Sequence, residues 1–202
     1  MLVAVSGSQG AGKSTIIHQL LELGHPVIQR KTSRSILTDW NVSLHEINED
    51  PELTMKFQDE ILKRKFMDEK DALHSHDIIF TERTYADLFT YALVSLGKNN
   101  RFDEWLNEYY FKCMKFQQSY DQVFYLTAGH FTVVADGVRG ANKHYSSMVD
   151  LTMREFTQQM TPGGRLNIIS TPVLRERTTI IDVHAKATLK REHFTLEMLN
   201  SL

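Results

Sequence analysis

The stretch GSQGAGKST, residues 7–15, carries glycines, a lysine and two hydroxyls at fixed spacing, with Gly7, Gly12, Lys13 and Ser14 fitting the pattern G-x-x-x-x-G-K-[ST]. Glycines admit backbone angles closed to other residues, so the N–H groups of Ser8, Gln9, Gly10, Ala11 and Gly12 can converge on phosphate oxygens. A helix opening near Lys13 adds its positive end to the same place. The Lys13 ammonium is long enough to reach the β- and γ-phosphates of ATP, the Ser14 hydroxyl is placed to ligate Mg²⁺, and Thr15 follows in the first helical turn. Bound ATP with Mg²⁺ is the expectation.

A second group lies in IIFTERTYADLFTYA, residues 78–92, where Glu82 and Arg83 end an apolar run. Ligands of open α/β sheets bind at the carboxyl ends of strands, so this pair is expected to face the phosphate loop. Glu82 can hold a metal-bound water or take a proton from a hydroxyl, and the planar fork of Arg83 suits a phosphate. A third group, VIQRKTSRS at residues 27–35, is basic through Arg30, Lys31 and Arg34.

Positioning these groups requires alternating strands and helices. MLVAVS, HPVIQR, DIIFTE and DQVFYLTA read as short buried strands, and RLNIIST and TTIIDVHA as two more split by a charged turn. KSTIIHQLLEL has helical spacing with Gly24 as its cap, and Asp50 with Pro51 opens a long helix through DPELTMKFQDEILKRKFMDEKDALHS. YADLFTYALVSL, RFDEWLNEYYFKCMKFQQS, SSMVDLTMREFTQQM and ATLKREHFTLEMLNSL are further helices, and TPGGR at 161–165 marks a tight loop. The alternation predicts an α/β fold, a doubly wound parallel sheet with helices on both faces. At 202 residues and 42% hydrophobic content, one domain over 1–202 is expected, with TAGHFTVVADGVRGANKHYSS, in about 128–147, as an irregular lid segment.

Composition narrows the classes. A balance of 23 Lys and Arg against 25 Asp and Glu, net −2, argues against a protein that binds nucleic acid through overall charge. The single cysteine, Cys113, forms no internal disulfide, and no Cys/His run has metal-ligand spacing, which points to a reducing, cytoplasmic compartment. No apolar run approaches the ~20 residues a membrane span needs, and the opening residues lack a signal-peptide pattern, so a soluble, unprocessed chain is expected.

With these motifs in hand, the chain resembles the P-loop kinase group of thymidylate kinases, deoxynucleoside kinases and nicotinamide riboside kinase-like ATPase domains, often encoded by bacteriophages. The phosphate loop at 7–14 is similar in all of them. TERTY resembles their Asp/Glu-Arg-Ser/Tyr motif after the third strand, FQDEILKRK their Phe-Gln helix, and DGVRG, residues 136–140, the Arg-bearing lid of the nicotinamide riboside kinase-like group. The resemblance reaches to about residue 155. It implies that Gln58 faces the substrate base, with Phe57 and Phe66 as apolar wall, and that Arg139 swings over the ATP phosphates as an arginine finger in cis. Arg175 and Arg177 in PVLRERTT flank the adenine or are solvated, and solvation is the favoured reading.

One departure decides between acceptors. Deoxynucleoside kinases carry an acidic base after the second strand, whereas Gln29, Arg30, Lys31 and Arg34 occupy that stretch here. A free hydroxyl needs a base, while an acceptor that is already phosphorylated needs positive charge. A nucleoside monophosphate is therefore the expected acceptor, held by Arg30, Arg34 and Arg83. The alternative within the class is a kinase acting on the hydroxymethyl group of a modified pyrimidine in phage DNA, with Glu82 or Asp39 as base, KTSR, KRK (63–65) and GANKHY along the backbone, and Tyr145 or Trp40 stacking on a base. An alternative of another class is a non-kinase switch that binds or hydrolyses ATP. A homodimer through EWLNEYYFKCMKF is a further expectation.

Overall fold

Five strands, all parallel, pair in the order β2-β3-β1-β4-β5. The computed structural model describes residues 1–28, 32–129 and 143–200. The strands are β1 (Leu2–Ser6), β2 (Val27–Ile28), β3 (Ile79–Glu82), β4 (Gln122–Leu126) and β5 (Leu166–Ile169). The helices are α1 (Lys13–Glu22), α2 (Thr32–Trp40), α3 (Leu44–Glu49), α4 (Pro51–Ala72), α5 (Tyr85–Leu96), α6 (Asp103–Gln117), α7 (Lys143–Met160) and α8 (Leu174–Asn200).

β1 is buried along its whole length, as the middle strand of a sheet covered on both faces must be. Its side chains alternate between two cores. Leu2 and Ala4 join α4, α5 and α6 through Phe57, Ile61, Leu88 and Tyr109. Val3 and Val5 join α1 and α8 through Ile16, Leu20, Ile181 and Ala185. The doubly wound architecture expected from the alternation is present.

Local signals account for several boundaries. α1 ends where Gly24, at φ 86°, lets its own N–H reach the Leu21 carbonyl at 2.9 Å and the His25 N–H reach the Leu20 carbonyl at 3.1 Å. α4 opens on Asp50, whose carboxylate accepts from the Glu52 and Leu53 N–H groups, with Pro51 in the first position. TPGGR closes as a turn, with the Arg165 N–H on the Pro162 carbonyl.

Two expectations are corrected. TTIIDVHA is no strand but the middle of α8. Its β-branched residues suggest a strand, but Ile181 and Ala185 sit four apart on one buried helical face, and the Thr178 and Thr179 hydroxyls bond the carbonyls four residues back. ATLKREHFTLEMLNSL opens no helix of its own, because α8 runs unbroken from Leu174 to Asn200. Arg34 lies within α2, and α3 follows, capped by a reciprocal Ser43–Glu46 box. The aromatic helix α6 serves mainly as core, with Leu106, Tyr109 and Cys113 buried and Phe111 exposed.

Candidate functional site

The site forms where β1 and β3 deliver their carboxyl ends side by side, Val5 opposite Glu82. From β1 the chain enters the phosphate loop through three glycines with positive φ, Gly7 at 139°, Gly10 at 80° and Gly12 at 88°. Gly7 has a second reason to lack a side chain: a Cβ there would stand 2.6 Å from the Leu126 carbonyl oxygen at the end of β4. The loop thus lies against the adjoining strand, and α1 begins at Lys13 directly behind it.

Lys13 is buried, and its ammonium donates to the Ser8 carbonyl at 2.9 Å. That carbonyl also accepts from the Ala11 N–H at 3.2 Å, so the loop curls around a single acceptor. Burial first, and then the neighbouring Arg83 guanidinium, push the Lys13 pKa below its ordinary value. Ser14 is exposed, and its hydroxyl donates to the Glu82 carboxylate at 3.0 Å. Two hard oxygen donors from two elements therefore meet at the solvent side of the loop, a donor set that fits Mg²⁺ held partly by phosphate and water.

Arg83 adopts φ 70°, a left-handed conformation uncommon for a residue with a side chain. Its N–H continues the ladder to the Val5 carbonyl at 2.9 Å, and its guanidinium lies over the Tyr91 ring at 5.1 Å. The turn that follows is tied by Asp87. One Asp87 oxygen accepts from Ser6 at 2.5 Å and Thr84 at 2.7 Å, joining the last residue of β1 to the residue after Arg83. The other oxygen, Oδ2, is buried with no hydrogen-bond partner among the described residues. Burial raises the Asp87 pKa, against the opposing pull of Lys13 and the two hydroxyls.

Lys13, Ser14, Glu82 and Arg83 are thus brought together with the loop residues Gly7, Ser8, Gln9, Gly10, Ala11, Gly12 and Thr15. Gln58 is buried on α4 beside Phe57, its Oε1 without a partner among the described residues, while Phe66 is exposed and stacked on Phe116. Lys65, two turns further along α4, donates to the Glu82 carbonyl at 3.3 Å, and Gln58 lies about 10 Å before Lys65 along the helix. Arg34 is exposed on α2. Arg30, Arg139 and most of the 128–147 segment lie outside the described residues.

Three further groups escape a reading from sequence alone. Asp87 carries a faint signal, since Thr84-x-x-Asp87 has the spacing of a helix-opening box, and its first half forms, the Thr84 hydroxyl accepting from the Asp87 N–H. Lys65 looks like part of a basic surface run, yet it is buried, paired with Glu69 at 2.6 Å and bonded to Thr81 at 3.0 Å. Arg177, expected to be solvated, is fully buried instead. Only the fold, which carries α8 back against the phosphate loop, reveals it.

No curated protein matches the chain by sequence. Similar solved structures include deoxyadenosine kinase from M. mycoides with the products dCMP and a flexible dCDP bound, at 18% identity and TM-score 0.68, over 93% of this chain and 100% of that one. The same kinase with bound dATP aligns at 18% identity and TM-score 0.69, over 91% and 98%. NadR protein in complex with NAD and AMP-PNP aligns at 15% identity and TM-score 0.65, over 90% of this chain and 47% of that one. This chain therefore spans about half the length of NadR, and at these identities the likeness is one of fold, a P-loop α/β fold. A model described as an AAA domain matches residues 2–168. That match runs from the first strand into the fifth and takes in the loop and both strand ends that build the site, and the chain belongs to the AAA domain family.

Proposed function

We propose that the chain is an ATP-dependent phosphotransferase that moves the γ-phosphate to a nucleotide, a (deoxy)nucleoside monophosphate. The observation that carries this reading is the meeting of the phosphate loop and the end of β3, where Ser14 donates to Glu82 at 3.0 Å and Arg83 follows directly on Glu82. Two cations, Lys13 and Arg83, on these adjoining segments suit two phosphate groups, one on the donor and one on the acceptor. Glu82, hydrogen-bonded to Ser14, is assigned to the metal rather than to a substrate hydroxyl.

In this reading the loop N–H groups and Lys13 hold the β- and γ-phosphates, and Arg83 and Arg34 hold the acceptor phosphate. Arg30, assigned to the acceptor phosphate, and Arg139, assigned to the moving phosphoryl group, lie outside the described residues. Mg²⁺, held by Ser14 and Glu82, supplies charge neutralisation at the phosphate oxygens. Gln58, whose buried Oε1 has no hydrogen-bond partner among the described residues, is assigned to a donor group of the base. The work is alignment and charge compensation, with little proton chemistry required of the protein. Deoxyadenosine kinase and NadR, whose folds this chain shares, carry nucleotides in their own structures, which supports a kinase acting on a nucleoside or nucleotide.

The modified-DNA reading loses support at two points. Lys65 of the KRK run is buried, and Arg64 is bound to Asp39 at 2.6 Å and to Glu60 at 2.7 Å, which also occupies Asp39 as a base.

The test is transfer of labelled γ-phosphate from ATP to nucleosides, their monophosphates, and DNA with and without hydroxymethylated pyrimidines. Label on a monophosphate, abolished by Lys13→Ala in a folded protein, is the expected result. Label only on modified DNA, or only released phosphate, overturns it.

A further inference from the structure

Arg177 is completely buried on α8, and its guanidinium serves three separate segments. Nη1 donates to the Ala11 carbonyl of the phosphate loop at 2.8 Å, Nη2 to the Thr127 carbonyl just after β4 at 3.3 Å, and Nε to the Thr171 carbonyl just after β5 at 2.5 Å. All three acceptors are backbone groups at the carboxyl edge of the sheet, and one belongs to the loop that would cradle phosphate.

The geometry of the peptide gives the first contact a consequence. In a trans peptide the C=O and N–H point in opposite directions, so fixing the Ala11 carbonyl toward Arg177 aims the Gly12 N–H away from it, toward the concave side of the loop. A charged donor on the carbonyl also polarises the peptide and makes that N–H a stronger donor. The other two bonds hold the guanidinium in place, so its orientation does not depend on the loop it steadies.

We propose that Arg177 is a positioning residue for the donor nucleotide: by clamping the Ala11 carbonyl to the ends of β4 and β5, it presets the Gly12 N–H for the phosphate chain. The inference rests on the phosphate loop holding a nucleotide triphosphate and not on the identity of the acceptor. It applies equally to a kinase and to a switch. A lysine cannot replace Arg177, because a single ammonium cannot span three carbonyls in a planar fork.

The test measures binding of the magnesium complex of AMP-PNP, and of inorganic tripolyphosphate, to wild type, Arg177→Lys and Arg177→Ala by calorimetry, with thermal unfolding followed in parallel. Both variants are expected to lose at least about tenfold in affinity for both probes, the size of one charge-assisted hydrogen bond. Millimolar guanidinium is expected to restore binding to Arg177→Ala and not to Arg177→Lys. Affinities within about twofold of wild type in folded variants overturn the proposal. So does an absence of rescue, since a role confined to packing leaves nothing for guanidinium to replace in the loop. If Arg177→Ala does not fold, Arg177→Gln is judged by the same affinity criterion, because its amide can keep one carbonyl contact while losing the charge. Loss of phosphate transfer with normal AMP-PNP binding in wild type would count against the proposed acceptor chemistry alone, and leaves this measurement intact.

Discussion

Lys13 and Arg83 define the electrostatics of the site, and their proximity has a measurable sign. Because burial and Arg83 both lower the Lys13 pKa, the alkaline loss of ATP binding should fall below the ordinary lysine value of 10.5. Replacing Arg83 with Met removes the like charge, so the Lys13 ammonium persists to higher pH and the alkaline limb moves upward. A titration of ATP affinity against pH in both proteins checks this, and an unmoved or lowered limb contradicts it. Ser14 and Glu82 call for a different readout. Ser14→Ala and Glu82→Gln should each raise the Mg²⁺ concentration required for half-maximal activity, with partial recovery at saturating metal, because the first removes one of the two protein oxygens that meet at 3.0 Å and the second removes the negative charge of the other. Equal metal requirements in both variants and wild type would break the metal assignment.

The elements show which parts of this arrangement are written locally. Gly7, Gly12, Lys13 and Ser14 are legible because the loop's function depends on spacing within eight residues, and Glu82 and Arg83 are legible because a buried strand must end before a turn. Asp50 and Gly24 mark helix ends by chemistry that operates over three or four residues. Arg177 and Lys65 are illegible for the opposite reason. Each has a partner on another element, Ala11 being 166 residues from Arg177 and Thr81 being 16 residues from Lys65, and a charged residue with such a partner looks like a surface residue in sequence. The TTIIDVHA segment fails through a conflict of signals, where β-branched residues favour a strand and a face of residues spaced by four favours the helix, and packing against Val3 and Val5 decides. The glycine at the head of the phosphate loop allows a sharper test. Gly7→Ala must place a methyl against the Leu126 carbonyl in a backbone region unfavourable to alanine, so it should both lower the melting temperature and abolish ATP binding. A variant that binds ATP normally would show that the loop can move away from β4.

Across the molecule, the sheet's carboxyl edge is braced from beneath by a buried polar network. Glu69 pairs with Lys65 and accepts from the Tyr85 hydroxyl at 2.6 Å and the Tyr120 hydroxyl at 3.0 Å, while Lys65 reaches Thr81 and the Glu82 carbonyl. Burial and the adjacent Glu69 charge hold the Tyr85 and Tyr120 hydroxyls protonated well beyond the usual tyrosine range. Glu69→Ala leaves a buried ammonium and two hydroxyls without their acceptor, and should cost about 3–5 kcal/mol in urea unfolding. The double replacement Lys65→Met, Glu69→Met should recover much of that loss, and a double variant as unstable as the single one would show that the network does more than neutralise itself. The strand order carries a consequence for synthesis. β1 is made before both of its neighbours, β3 at residues 79–82 and β4 at 122–126, so the middle strand of the sheet has one open edge until β4 has been translated. The segment that supplies the nucleotide loop is thus made well before the strands that secure it, and a nascent chain stalled before β4 emerges is the form most in need of a chaperone.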